Sequence, residues 1–252
     1  MLSVNFALMT GMLLPAAPWL FELRLDSKGF FLLMAAIGLD GLANYGYFRS
    51  FERVDAVTVS GLLAVSPLFA LGISPLFFYQ SESLGALQVL SVLLFTCGIW
   101  MIVGRFQQNS TELERVPIKE IFYPLGTAFL FTLSMFVIKD LFAGNYLNPY
   151  TYYLIRAFLI SGVSWMITRP NLDWINGISL LLTAGRLIFV IGQWLFLLSA
   201  LKVGHPAVVK AISDLSPMVV MMFSWSLLRE KPSPMQVLGM VVILAGGSVL
   251  AL

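Results

Sequence analysis

Apolar residues run on for about twenty positions at a time along this chain, the length a helix needs to cross a bilayer, before short clusters of Gly, Pro, Ser and charge interrupt them. Hydrocarbon offers the backbone no hydrogen-bond partner, so a chain crosses it only as helices or as a closed barrel. The runs here are continuous rather than alternating, which points to helices. The pattern predicts an all-α, multi-pass membrane protein with nine spans, near residues 2–20, 29–48, 55–78, 84–104, 121–142, 149–168, 174–200, 205–228 and 234–252. The longest connection, RFQQNSTELERVPIKE at 105–120, is the linker between a first half, 1–104, and a second half, 121–252.

Composition narrows the function classes. The chain is 59% hydrophobic and 11% charged, with a mean hydropathy of +0.88, whereas an ordinary globular domain carries about 25% charged residues. A net charge of +2 without a long basic block argues against a nucleic-acid partner. The lone Cys97, in VLLFTCGIWMIV, excludes an intrachain disulfide and a CxxC site, and is expected to be a small buried hydrophobe. No basic stretch precedes the first apolar run, so a cleaved signal peptide is not expected.

The two halves repeat one another. Ser66-Pro67 matches Ser216-Pro217 at an offset of 150, and Glu82, Gln88 and Gly98 match Glu230, Gln236 and Gly246 at 148. Upstream, Asn44-Tyr45 aligns with Gln193-Trp194 and Arg53-Val54 with Lys202-Val203 at 149, while Leu8 and Gly11 align with Leu159 and Gly162 at 151. Agreement in order over several spans marks an internal duplication. On this alignment Met1 falls opposite Tyr152, so the first half is expected to lack one span.

A helix with Ser-Pro before an apolar half, a glutamate at the following turn, a glutamine about six residues on and a closing glycine-rich helix occurs twice, and resembles the EamA-like domain of the drug/metabolite transporter superfamily. The resemblance covers essentially the whole chain and is clearest over 51–104 and 200–252. It implies two inverted five-helix repeats, the first truncated here to four, and a secondary carrier that exports small metabolites across the plasma membrane. An odd number of spans per repeat inverts the second copy, and such a pair can open alternately to either side. Pro67 and Pro217 each remove a backbone hydrogen bond in mid-helix and are read as hinge points, with simple bending for packing as the alternative. Ser233, Pro234 and Gln236 read as a helix start, so Gln236 is expected to cap.

Ionisable side chains within spans are costly, and they face a cavity or a partner. Asp40, Asn44 and Tyr47 share one helical face; Thr183, Arg186 and Gln193 share another; Tyr152 and Tyr153 lie one turn before Arg156; Lys210, Ser213, Asp214 and Pro217 form a fourth stripe. The corresponding residues of the first half are Ser60, Leu63, Ala64 and Pro67, so the proline is shared and the charges are not. Four polar stripes suggest one wet cavity whose substrate-binding candidates are Asp40, Asn44, Tyr45, Arg156, Arg186, Gln193, Trp194, Lys210 and Asp214. Two arginines and a lysine against two aspartates favour an anionic or zwitterionic metabolite, because the guanidinium fork suits carboxylate and phosphate. Asp40 and Asp214 are the proton carriers if transport is proton coupled. The bland alternatives are internal ion pairs, Lys210 with Asp214 and either arginine with Asp40 or carbonyls.

No cofactor or metal is called for. GLDG at 38–41 does not fit an intramembrane protease, and His205 stands alone before Pro206, as an interfacial residue would, so an enzyme is not expected. The expected partners are a small metabolite, the lipid bilayer, a coupled proton and a second copy in a homodimer. A channel, a nontransporting membrane scaffold and an inactive N-terminally truncated fragment are the competing readings. Basic residues favour the loops on the side of residue 1, among them Arg49, Arg53, Arg105 and Arg115, over those carrying Arg24, Lys28, Lys139 and Lys202. That asymmetry places residue 1 in the cytoplasm, whereas the resemblance implies a cytoplasmic C-terminus.

Overall fold

The computed structural model describes residues 2–53, 59, 62–77, 85–108, 118–168, 177–215, 218, 219, 222, 226 and 233–250. Among them the regular structure is helical, with one isolated bridge between Leu23 and Leu147. The helices are α1 (Leu2–Leu13), α2 (Ala17–Leu20), α3 (Ser27–Arg53), α4 (Ser66–Phe77), α5 (Ala86–Gln108), α6 (Ile118–Ala143), α7 (Pro149–Thr168), α8 (Gly177–Val203), α9 (Pro206–Ser213) and α10 (Pro234–Leu250). Among the described residues four stretches are long and apolar enough to cross a membrane, Ser3–Leu20, Ser27–Glu52, Ile121–Ala143 and Leu180–Val203; α4, most of α5 and α10 are shorter apolar helices. This is the multi-pass, all-α architecture that the apolar runs predict.

The chain forms two compact units, residues 1–41 with 137–203 and residues 42–136 with 204–252, and each draws on both halves of the sequence. In the first unit α1 and α7 pack antiparallel. The Tyr150 hydroxyl donates to the carbonyl of Leu13, the Tyr153 hydroxyl lies 3.3 Å from Met9 Sδ, and Ser161 Oγ donates to the Ser3 carbonyl at 3.3 Å. The register is set by how α6 ends. Asn145 takes a left-handed conformation (φ 51°), the amide of Tyr146 bonds back to Leu141 and that of Asn145 to Phe142, which closes the last turn. Asn148 then caps α7, its Oδ1 accepting from Thr151 N at 2.8 Å, with Pro149 in the first helical position. Lys139, expected in a loop, is instead buried near the end of α6, where its Nζ donates to the carbonyl of Lys202 at 3.3 Å.

In the second unit α5 and α10 run antiparallel in close contact. A Cβ on Gly98 would meet Ile243 Cγ1 at 2.6 Å and the Gly239 carbonyl at 2.7 Å, and a Cβ on Gly246 would meet the Ser91 carbonyl at 3.2 Å and Phe95 Cδ1 at 3.4 Å. Under the offset of 148, Gly98 becomes Gly246, while Gly239 and Ile243 become Ser91 and Phe95. The two contacts therefore exchange, as they must if a two-fold axis relates the copies. The helix starts match as well: Gln88 Oε1 accepts from Gly85 N at 3.1 Å, and Gln236 Oε1 from Ser233 N at 2.8 Å with Ser233 Oγ answering Gln236 N at 3.3 Å. Gln236 is thus a cap, as its position in the sequence suggests. Cys97, expected to be buried, is exposed, because α5 commits its glycine face to α10 and turns the thiol outward.

Ser66-Pro67 begins a helix rather than kinking one. Val65 N bonds to Leu62 O (3.3 Å) and Leu68 N to Val65 O (2.9 Å), and at an offset of 150 Leu215 N bonds to Ile212 O (3.2 Å) and Met218 N to Leu215 O (3.0 Å). These three-residue steps mark a break in the helical ladder. Pro67 is the second residue of α4, where a missing N–H has no helical partner to lose. Ser216 and Pro217, like the turn glutamates Glu82 and Glu230, lie outside the described residues.

Candidate functional site

The first unit holds a buried ion pair between helices. Arg156 Nε of α7 lies 2.7 Å from Asp40 Oδ2 of α3, both side chains are 1% exposed, and the Tyr152 hydroxyl donates to the same carboxylate oxygen at 2.8 Å. The guanidinium carbon sits over three rings, Trp194 at 4.1 Å, Phe6 at 5.4 Å and Tyr153 at 5.6 Å, and Tyr153 stacks on Trp194 with centroids 6.2 Å apart. A cation held against ring faces keeps part of the electrostatic support that burial takes from it. Satisfaction is incomplete: Arg156 Nε is out of line for a hydrogen bond, and Nη2 has none among the described residues.

Arg186 has a different setting. It lies within the apolar span of α8 but on an exposed side, together with Gln193, and no hydrogen bond or ion pair holds it among the described residues. Phe189 and Phe196, also exposed, continue that side of the helix, while Thr183 and Trp194 are half-buried. The sequence groups the two arginines, and the structure separates them into one enclosed and one outward-facing cation.

In the second unit Lys210 Nζ lies 2.6 and 2.7 Å from the two carboxylate oxygens of Asp214, with the side chains 14% and 19% exposed. Asp214 caps the C-terminus of α9, beside the break in the ladder. Asn44 is buried and Tyr45 exposed on the part of α3 that belongs to this unit, and Tyr47, expected on the face of Asp40, is also exposed and packs edge-on against Phe51. His205 does more than the sequence suggests. Its Nδ1 accepts from Ala207 N at 3.2 Å as the cap of α9, Nε2 lies 3.1 Å from Ser74 Oγ of α4, and the ring meets Phe136 edge-on.

The sequence gives no signal for Phe6 or Ser74, since each is an ordinary residue in an apolar helix and meets its partner only through the fold. Among the described residues no group of His, Cys, Asp and Glu is placed to hold a metal ion.

The sequence model of the family described as "EamA-like transporter family" matches residues 118–252. Among solved structures, one crystal structure superposes with a TM-score of 0.78 at 14% identity, covering 99% of this chain and 87% of that one, a likeness of fold. None of the curated proteins compared with the chain matches it.

Proposed function

The chain belongs to the EamA-like transporter family, and from that premise we propose that it is a secondary carrier that exports small anionic or zwitterionic metabolites across the plasma membrane by alternating access. The observation that carries the mechanism is the exchange of the Gly98 and Gly246 contacts under the repeat offset. Copies related in this way can adopt each other's conformations, which opens the molecule first to one side and then to the other. The paired breaks before Pro67 and Pro217 give each copy a point where the helix can rearrange at low cost, because its ladder is already interrupted there.

The preference for a negative group rests on Arg186. A cation in the middle of an apolar span costs at least about 2.5–3.5 kcal/mol on insertion scales unless water or a partner receives it. Its exposed position beside Gln193 suits a water-filled pathway in which a substrate carboxylate or phosphate can reach the guanidinium fork. Arg156, tied to Asp40, holds its guanidinium over the ring of Trp194, the neighbour of Gln193 in α8. Flux of labelled metabolites into liposomes containing the purified chain tests the reading. A carrier gives saturable flux and counterflow, whereas flux that rises linearly with concentration and shows no counterflow would indicate a channel.

A further inference from the structure

We infer that the Lys210–Asp214 pair is a coupling site at which a proton taken up by Asp214 releases Lys210 to an anionic group of the substrate, so that proton and anion cross together. This rests on the carrier reading and adds to it the ion that moves with the substrate. Asp40 is enclosed with Arg156 and Tyr152, while the Lys210–Asp214 pair is partly exposed and stands at the broken end of α9. The break occurs in both halves of the chain, but the charges occur in one: the first-half counterparts of Lys210 and Asp214 are Ser60 and Ala64. The break therefore serves the architecture, and the added pair needs another reason.

The position decides which partner yields. Backbone carbonyls converge at the C-terminus of a helix, which favours a nearby cation and disfavours a carboxylate. Ser213 Oγ donates to the carbonyl of Lys210 at 2.8 Å, within the same turn. Of the helices that touch α9, α4 and α10 have no titratable side chain and the described side chains of α5 include only Cys97; α6, which meets α9 through Phe136 at its His205 and Ala207 end, carries Tyr123, Lys139 and Asp140, and His205 lies at the end of α9 opposite Asp214. Among the described residues, Lys210 is thus the cation that answers Asp214. When Asp214 takes a proton, the helix end loses the charge it disfavours and keeps the one it favours, and the ammonium is free for a substrate carboxylate or phosphate. Conversely, an anion that captures Lys210 leaves Asp214 unpaired and ready to accept a proton. One proton accompanies one negative charge, and both leave when the pair re-forms.

The test uses the full chain in liposomes enclosing a pH dye, with a mixture of labelled short monocarboxylates and zwitterionic amino acids as probes. The expected result is saturable probe flux with about one proton moved per anion, at least ten-fold slower transport in Lys210→Gln, and flux without proton movement in Asp214→Asn, which keeps the shape of the acid. Lys210→Arg, which keeps the charge, should retain coupling. Detergent melting near the wild-type temperature confirms that each variant folds. Infrared difference spectra between acid and neutral pH provide a readout independent of substrate: a protonated carboxyl band present in wild type should vanish in Asp214→Asn. Probe flux with no proton movement in wild type, or proton coupling retained in Asp214→Asn, would overturn the inference, as would a carboxyl band unchanged in that variant. If no probe moves saturably while the band behaves as expected, the anion-carrier reading fails and Asp214 stands as the titrating group.

Discussion

Gly98 and Gly239 face each other so closely across α5 and α10 that a Cβ on the first would lie 2.7 Å from the carbonyl oxygen of the second. In a membrane, where lipid is as apolar as leucine, such close backbone approach is what holds helices together. Gly98→Leu should therefore lower stability by about 1–3 kcal/mol, the usual cost of overpacking. Gly72→Ala, where a Cβ meets nothing within 4 Å, should be neutral or gain roughly 0.5–1 kcal/mol from helix propensity. Melting curves in detergent decide between these outcomes.

Because the glycine contacts exchange under the repeat, the loops before α5 and α10 should open on opposite sides of the membrane. Cysteines at Glu82 and Glu230, in a chain carrying Cys97→Ser, should react with impermeant reagents from opposite faces. Reaction of both from one face would exclude the inverted arrangement.

The enclosed and the outward-facing arginine should fail in different ways. Arg156→Gln strands a buried carboxylate and should cost about 3–5 kcal/mol, a loss that Asp40→Asn partly restores in the double variant. Arg186→Gln should leave the melting temperature near wild type and slow transport about ten-fold or more, the worth of a charge-assisted hydrogen bond of roughly 1.5–3 kcal/mol. Melting curves and flux measured on the same preparations separate the two effects.

The two matching helix starts give a smaller effect. Ser233→Ala removes the hydroxyl that answers Gln236 N and should lower stability by about 0.5–2 kcal/mol. Ser233→Asp, which keeps an acceptor at that position, should recover most of the loss in the same melting assay.

Much of this architecture is legible in the sequence, because lipid imposes a strong rule on composition and a duplication writes its landmarks twice. Gln236, read from spacing as a cap, is one in the structure, its repeat counterpart Gln88 is another, and the break in the ladder falls beside Pro67. The pattern is silent on what a residue meets across space. Lys139 is counted with the loop residues although it lies inside the span expected at 121–142, and the structure keeps it in that helix, buried, with its ammonium on the carbonyl of Lys202. Cys97 reads as buried because its neighbours are apolar, but in a bilayer apolar neighbours mark the lipid side as well as the core. Asp40, Arg156 and Arg186 look alike as charges in apolar helices. The Asp40 carboxylate and the enclosing rings of Phe6, Tyr153 and Trp194, which come from three different helices, distinguish Arg156 from Arg186.

The Asp40–Arg156 pair also sets an order of events at the ribosome. Asp40 enters the membrane on α3 while α7, which carries its arginine, has yet to be synthesised. Until then the nascent chain holds an acidic group in hydrocarbon with its future partner missing. Release of α7 into the bilayer is therefore the step that makes the earlier helix comfortable, and a chain that stops short of Arg156, or carries glutamine there, lacks the guanidinium that answers this acid. Such a product should be removed by membrane quality control before it can act, so that its defect is read first as low abundance.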